Sequence, residues 1–281
     1  MNSDMTGKVC IVTGASAGIG KETVIGLARL GATIIMLCRD RDRGEAARRE
    51  IKPKKSGNEK IELMICDLGS QNSIRQFASE FKHRHDRLDV LINNAGVLLR
   101  ERSLTEDGIE TTFAINHLGY FLLTNLLLDL LKQSAPSRIV NVASAAHKYG
   151  KLNIAAWVTG DDYSAFGAYA NSKLANVLFT YELARRLEGT NVTANCLHPG
   201  AVGTNLFRGL PKLLRAAIAL VTIGPERGAR TSIYLASSPE VEGVSGKYFA
   251  RRQPESSSPA SYDEQAARRL WEVSEELTKI E

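Results

Sequence analysis

A chain of 281 residues, 43% hydrophobic and 24% charged, has the composition of an ordinary globular protein with a sizeable core, which excludes a fibrous repeat or an extended disordered chain. The net charge of +5 is scattered except for a basic stretch at 39–60. No helix-turn-helix, zinc or RNA-binding signature accompanies that stretch, so a solvated basic face is favoured over nucleic-acid binding. The length admits two small domains, but α/β sheets often run this long as one, and a single domain over 1–281 is expected.

Apolar runs at 8–13, 32–38, 61–66, 88–92, 137–142, 191–196 and 246–249 read as strands, most of them continuously apolar, as suits a parallel sheet buried on both faces. Helical patterns lie between them at 18–30, 41–52, 70–84, 104–131, 164–188, 225–237 and 262–277. This alternation predicts an α/β fold, a doubly wound parallel sheet of Rossmann type with right-handed crossovers and helices on both faces. The segment 251–261, rich in Ser and Pro, reads as a loose connection. Cys10, Cys38, Cys66 and Cys196 each sit in or at the end of a strand, without Cys-x-x-Cys spacing or paired histidines. That pattern predicts buried thiols rather than a disulfide framework or a metal site, and fits a reducing compartment. No apolar run reads as long enough for a transmembrane helix.

After the first strand comes Gly14-Ala15-Ser16-Ala17-Gly18-Ile19-Gly20, which opens the first helix. A pyrophosphate can meet free N–H groups and the positive helix end there, and glycine lets the backbone come close; by itself, the same spacing would also serve a tight turn. The end of the second strand selects between NAD and NADP in such folds. An acid at position 38 would bind a ribose hydroxyl, but Cys38 and Arg39 stand there. The Arg39 guanidinium suits the NADP phosphate, with Arg43 as a helper, unless it pairs with Asp40 instead. Further on, Tyr169-Ala170-Asn171-Ser172-Lys173 places two functional residues four apart, on one face of a helix. A tyrosine ordinarily keeps its proton to a pKa of about 10. An ammonium and an oxidised nicotinamide together could lower that value through roughly 3–4 kcal/mol of differential stabilisation.

These motifs, with Asp67-Leu68, Asn93-Asn94-Ala95-Gly96, Asn116, Ser144 and Pro199-Gly200, resemble the short-chain dehydrogenase/reductase superfamily over nearly the whole chain. Cys38-Arg39-Asp40, Asn116-His117-Leu118-Gly119, Ser172-Lys173-Leu174-Ala175-Asn176 and Leu197-His198-Pro199-Gly200 are similar to its retinol dehydrogenase branch. The resemblance implies about seven strands in the order 3-2-1-4-5-6-7 and hydride transfer between NADP(H) and a carbonyl or alcohol. It implies that Tyr169 exchanges the proton, Ser144 orients the oxygen, Lys173 lowers the Tyr169 pKa and holds the nicotinamide ribose, and Asn116 fixes a relaying water. Gly14, Ser16, Ala17, Gly18, Ile19 and Gly20 would cradle the pyrophosphate, and Asp67 with Leu68 would meet the adenine. Asn94, Ala95 and Gly96 would line the adenosine ribose, and Pro199, Gly200, Val202 and Thr204 the nicotinamide. For Asn93 a structural tie between strands stands beside the cofactor role. Ala17 and Gly203 depart from relatives that carry a basic residue at those places.

Two segments rich in bulky apolar groups, 145–168 and 205–224, would shape substrate choice, and Leu206, Phe207, Leu213, Leu214 and Ile218 suit a small lipophilic partner such as retinal or retinol. His117, His147 and His198 lack convergent carboxylates and are left outside the active constellation. Many vertebrate relatives carry an N-terminal membrane anchor. Here Met1 opens a short polar lead, so the chain is either a soluble relative or one from which an anchor has been removed. A cytoplasmic location with peripheral membrane contact, as a monomer or homo-oligomer, is the expectation. Other readings stay open: reduction of steroids, alkanals or xenobiotic ketones, a non-catalytic NADPH sensor or scaffold, and a membrane-binding module using 206–223.

Overall fold

In the computed structural model, which describes residues 3–51, 60–161, 163–200 and 224–280, the apolar runs form one sheet. In chain order the elements are β1 (Val9–Thr13), α1 (Gly18–Arg29), β2 (Thr33–Cys38), α2 (Arg41–Ile51), β3 (Ile61–Ile65), α3 (Gln71–Arg84) and β4 (Val90–Asn93). Then come α4 (Thr111–Gln133), β5 (Ser137–Val142), α5 (Ile154–Thr159), α6 (Ala165–Arg186) and β6 (Val192–His198). The chain closes with α7 (Pro225–Ser237), β7 (Tyr248–Ala250), β8 (Gln253–Pro254) and α8 (Glu264–Thr278). The strand order is β3-β2-β1-β4-β5-β6-β7-β8, parallel throughout except for the short antiparallel β8. This is the expected Rossmann-type fold, with an eighth strand at the edge.

Side-chain alternation divides the core into two layers. Ile11, Ile35 and Leu37 point to the face covered by α3, α4 and α6, where Phe77, Phe81, Phe121 and Phe179 pack. Cys10, Val12, Ile34, Met36 and Cys38 point to the other face, covered by α1, α2 and α7 through Val24, Leu27, Ala47 and Leu235. All four cysteines are buried and unpaired, and burial pushes the thiols of Cys66 and Cys196 up to about 12.

Three sequence readings need correction. The helical pattern over 104–131 begins only at Thr111, because Leu104 bridges Glu110 and the Glu110 carboxylate caps the N–H groups of Thr112 and Phe113. The same helix, Thr111–Gln133, is long and apolar enough to cross a membrane by length and composition, contrary to the expectation that no such run exists. Most of its apolar stretch is buried in the protein, where a central core helix needs apolar residues all round. The segment 251–261 is not loose. Its Ser257, Ser258 and Ser261 are buried, and Tyr181 Oη, Ser257 Oγ and Ser261 Oγ form a chain of 2.7 and 2.6 Å hydrogen bonds.

Candidate functional site

The carboxyl ends of β1, β4, β5 and β6 open into one cavity of about 740 Å3, where doubly wound sheets present their crevice. At one end lie Gly14, Ser16, Ala17, Gly18, Ile19, Gly20, Arg39, Arg43, Asp67 and Leu68; at the other, Ser144, Tyr169, Lys173, Pro199 and Gly200, with Asn94, Ala95 and Gly96 between. Val202, Thr204 and nearly all of 205–224 lie outside the described residues.

The glycine loop is close-packed. A Cβ on Gly20 would stand 2.4 Å from the Gly14 carbonyl oxygen, and one on Gly14 would stand 2.9 Å from Ala95 Cα. Gly14 and Gly18 also adopt positive φ values of 65° and 55°, a region that side-chain-bearing residues rarely enter. Below the loop, Thr13 Oγ1 accepts from the N–H groups of Asn94 and Ala95 at 2.8 and 2.9 Å, and Asn94 Nδ2 donates to the Thr13 carbonyl at 2.7 Å. Thr13, the first residue of the glycine motif, thereby locks the two loops together. Asn93 points away from the cavity: its amide donates to Thr124 Oγ1 and Asn141 Oδ1, tying β4 to α4 and β5.

Asp40 accepts from the Arg43 N–H at 2.8 Å, which caps α2, while Arg39 is exposed at the cavity wall with no ion pair among the described residues. Asp67 accepts from the Gly69 N–H at 2.9 Å and so keeps its loop turned toward the cavity. These residues fit a dinucleotide: backbone N–H groups at a helix start for phosphates, a free guanidinium beyond them, and a glycine-floored trench in between.

At the other end, α6 begins at Ser164, whose hydroxyl accepts from the Gly167 N–H, and carries Tyr169 and Lys173 one turn apart. Lys173 is 3% exposed; its Nζ donates to the Val142 carbonyl at 2.9 Å and lies 5.7 Å from the ring centroids of both Tyr169 and Tyr120. Tyr120, missed from sequence, donates to the Ala95 carbonyl at 2.6 Å and walls the lysine in. Burial alone brings Lys173 down to about 7. Burial also raises Tyr169, partly offset by a hydrogen bond with the Ser144 hydroxyl. Without an oxidised nicotinamide, which the expected lowering required together with the lysine, desolvation of the phenolate dominates at Tyr169.

Asn116 sits in a π-helical turn, Ala114–Leu118, inside α4. Its Oδ1 accepts from the Val97 N–H at 2.8 Å, and its Nδ2 donates to the Val97 carbonyl and to Ser172 Oγ, both at 2.9 Å. A Cβ on Gly96 would stand 3.5 Å from both Asn116 Oδ1 and Lys173 Nζ, so the bare glycine leaves those two groups facing one gap. Among the histidines, His117 is fully buried between Phe113, Phe121 and Phe179, bonded to Ser274, with a pKa pushed down to about 3 by burial. His198 lines the cavity, and His147 lies behind it. No group of three or more metal-ligating side chains occurs among the described residues. The apolar wall near Tyr169 consists of Leu98, Leu99 and Phe166, of which Phe166 is 53% exposed and packs against Tyr149 at 5.7 Å.

A glycine cradle at the head of a doubly wound sheet, running into a Ser-Tyr-Lys cluster, is an oxidoreductase architecture, and the family model for short chain dehydrogenase matches residues 8–213. The chain belongs to the short-chain dehydrogenase/reductase family. It is similar to retinol dehydrogenase 14 of Homo sapiens, 51% identical over 294 residues, covering 98% of this chain and 88% of that one. Retinol dehydrogenase 13 of Homo sapiens is 46% identical over 285 residues, covering 98% and 86%. Among solved structures, an uncharacterized protein from Mycobacterium paratuberculosis is 37% identical with a TM-score of 0.82, covering 99% of this chain and 96% of its own. The RhlG/NADP active-site complex of Pseudomonas aeruginosa is 27% identical with a TM-score of 0.71, covering 88% and 95%.

Proposed function

We propose that this oxidoreductase uses NADP(H) to interconvert a lipophilic aldehyde or ketone and its alcohol, with a retinal/retinol-like compound as substrate. The observation that carries the proposal is the continuous cavity, with unpaired Arg39 at one end and the Ser144, Tyr169 and Lys173 cluster beside apolar Leu98, Leu99 and Phe166 at the other. The retinol dehydrogenase names of the relatives and the NADP complex of a structural neighbour support it.

The nicotinamide cofactor supplies the hydride in reduction and accepts it in oxidation. Tyr169 donates its phenolic proton to the carbonyl oxygen as negative charge develops there; keeping that proton in the resting enzyme is consistent with its raised pKa. Ser144 donates its hydroxyl proton to the same oxygen, an interaction strongest when the oxygen carries charge. Lys173, held by the Val142 carbonyl, can exchange its proton near neutral pH and faces Asn116 Oδ1 across the gap above Gly96, where it would hold the nicotinamide ribose. Asn116 Oδ1 accepts from the Val97 N–H, and its second lone pair is available to hold a water in that gap. Arg39 binds the ribose phosphate, Asp67 the adenine, and Gly14 to Gly20 the pyrophosphate. The excursion 145–168 covers the substrate through Phe166, within a chain that works as one functional unit.

The test is NADPH oxidation over retinal, medium-chain aldehydes, aromatic ketones and steroids, repeated with NADH. Turnover with NADPH and an apolar carbonyl compound is the expected result. A preference for NADH, or for small charged carbonyl compounds, would overturn the cofactor or the substrate reading respectively.

A further inference from the structure

One peptide unit beside the site is held at both of its polar ends by imidazole nitrogens. The carbonyl of Ser144 accepts from His147 Nδ1 at 2.7 Å, and the adjoining N–H of Ala145 donates to His198 Nδ1 at 3.1 Å. The two rings come from different places: His147 from the 3-10 turn Ala145–Tyr149 after β5, and His198 from the end of β6. Both histidines fall outside the roles given above to Ser144, Tyr169, Lys173 and Asn116.

The partners dictate the tautomers. His147 Nε2 receives the N–H of Ser258 at 3.0 Å, so it carries no proton, and Nδ1 must be the nitrogen that donates to the Ser144 carbonyl. His198 Nδ1 faces an N–H that can only donate, so its lone pair is there and its proton is on Nε2. His198 holds the peptide only while neutral, whereas a proton added to His147 Nε2 would oppose the Ser258 N–H and leave the bond to the Ser144 carbonyl in place. A proton added to His198 Nδ1 would set one N–H against another and release Ala145.

That peptide sets the Ser144 side chain. Ser144 is the extended residue that starts the turn, with φ −161° and ψ 156°, and its Oγ accepts from the Ala146 N–H at 3.2 Å. Rotation of the Ser144–Ala145 peptide would move the Ala146 N–H and with it the hydroxyl. We propose that His147 and His198 are positioning residues that clamp this peptide and thereby aim the Ser144 hydroxyl at the substrate oxygen. The clamp runs on through Ser258 to the buried serine cluster of 257–261, which explains why that serine-rich segment is packed against the tyrosine end of the site. The inference rests on the proposed role of Ser144.

Burial is the main influence keeping both rings neutral. His198 is faced by His147 and Lys148 of the turn, which disfavour its protonation, and beyond β7 by Arg251, which disfavours it, and Glu255, which favours it. His147 is faced by the Tyr248 ring at 4.9 Å and by Lys148. The net direction places release of the clamp below the ordinary histidine value of about 6.5.

The test compares His198→Leu, which removes the acceptor, with His198→Asn, whose Oδ1 occupies the position of Nδ1 and accepts without titrating. In the full chain with NADPH, His198→Leu is expected to lower kcat by about 10-fold or more, with NADPH Kd within about twofold, and His198→Asn to restore kcat to within about threefold. The acid-side fall of kcat in the wild type should be absent from His198→Asn. An Asn variant as impaired as Leu, a silent Leu variant, or an unchanged acid limb in Asn would overturn the clamp. Should His198→Leu not fold, the pH profile of His198→Asn decides alone. On a Ser144→Ala background His198→Leu should add no further loss. A silent Ser144→Ala would instead refute the role of Ser144, and an additional loss on that background would refute the clamp while leaving Ser144 in place.

Discussion

Two ionisable side chains are buried at opposite ends of the same sheet, Asp89 at 2% exposure just before β4 and Lys173 at 3% beyond β5, and they are treated in opposite ways. The Asp89 carboxylate accepts from Lys8 Nζ, the Val9 N–H, Arg87 Nε and Arg87 Nη2 at 2.7–2.9 Å. Burial pushes its pKa up, but the bonds from Arg87, Val9 and Lys8 outweigh that and hold it below the usual carboxylate range. Lys173 has one neutral acceptor, the Val142 carbonyl, and no carboxylate, so burial wins and its pKa falls to about 7. A group satisfied on all sides serves stability. A group left short of partners costs stability and stays free to exchange protons and meet a ligand.

The largest expected effect breaks the reacting end alone: Tyr169→Phe should lower kcat by about 10²- to 10⁴-fold, the range for a lost general acid, while NADPH Kd measured by fluorescence titration stays within about twofold. Retained turnover would remove Tyr169 from the chemistry.

The contrast itself predicts a crossing of activity and stability. Lys173→Met should abolish most turnover yet raise the Tm of the cofactor-free protein at pH 7, by about 2–4 °C for each kcal/mol of burial cost relieved. Asp89→Asn should leave kcat per folded molecule unchanged and cost about 1.5–3 kcal/mol, the range for hydrogen bonds to charged groups. The two pH dependences share a sign, because both folded pKa values are depressed, but they lie in different windows. The folded Lys173 pKa is depressed, so the unfolded chain binds the extra proton between about 7 and the ordinary lysine value of 10.5, and stability rises with pH across that window. The folded Asp89 pKa is also depressed, so its contribution is present above the ordinary aspartate value of 3.8 and is lost as pH falls through the folded value. Thermal melts of the wild type and both variants from about pH 2 to about pH 11 check both windows.

Much of the cavity was legible in the sequence, and the treatment of Asp89 was not. The glycine loop and the Tyr169 to Lys173 spacing are local patterns, and the strand alternation that carries them together is a run of apolar residues, so the cavity and its two ends followed from residue order. The direction of the lysine pKa did not follow, because it depends on how completely Tyr120 and β5 enclose the ammonium. Segment 251–261 was misread for a related reason: composition records that serines are polar but not that Tyr181 and His147 wait in the core to pair with them. The π-turn at Asn116 leaves no mark in an apolar helical pattern, since one extra residue per turn barely disturbs a helix buried all round.

Smaller effects sharpen the reading of the cavity ends. Arg39→Leu should weaken NADPH binding by about 1.5–3 kcal/mol and NADH binding little, because only NADPH carries the phosphate that a guanidinium binds. Equal losses for the two cofactors in isothermal titration would refute the assignment. Along a homologous aldehyde series, kcat/KM should rise by up to about 0.8 kcal/mol per methylene buried against Leu98, Leu99 and Phe166. A flat series would reject the apolar wall as a substrate contact.

The most direct measurement follows the hydrogen itself. NADPH dideuterated at the nicotinamide C4, incubated with the protein and retinal, should yield an alcohol carrying one deuterium on its carbinol carbon by mass spectrometry. An unlabelled alcohol, or none formed from retinal or any other carbonyl compound of the panel, would contradict hydride transfer from NADPH at the Ser144, Tyr169 and Lys173 end of the cavity.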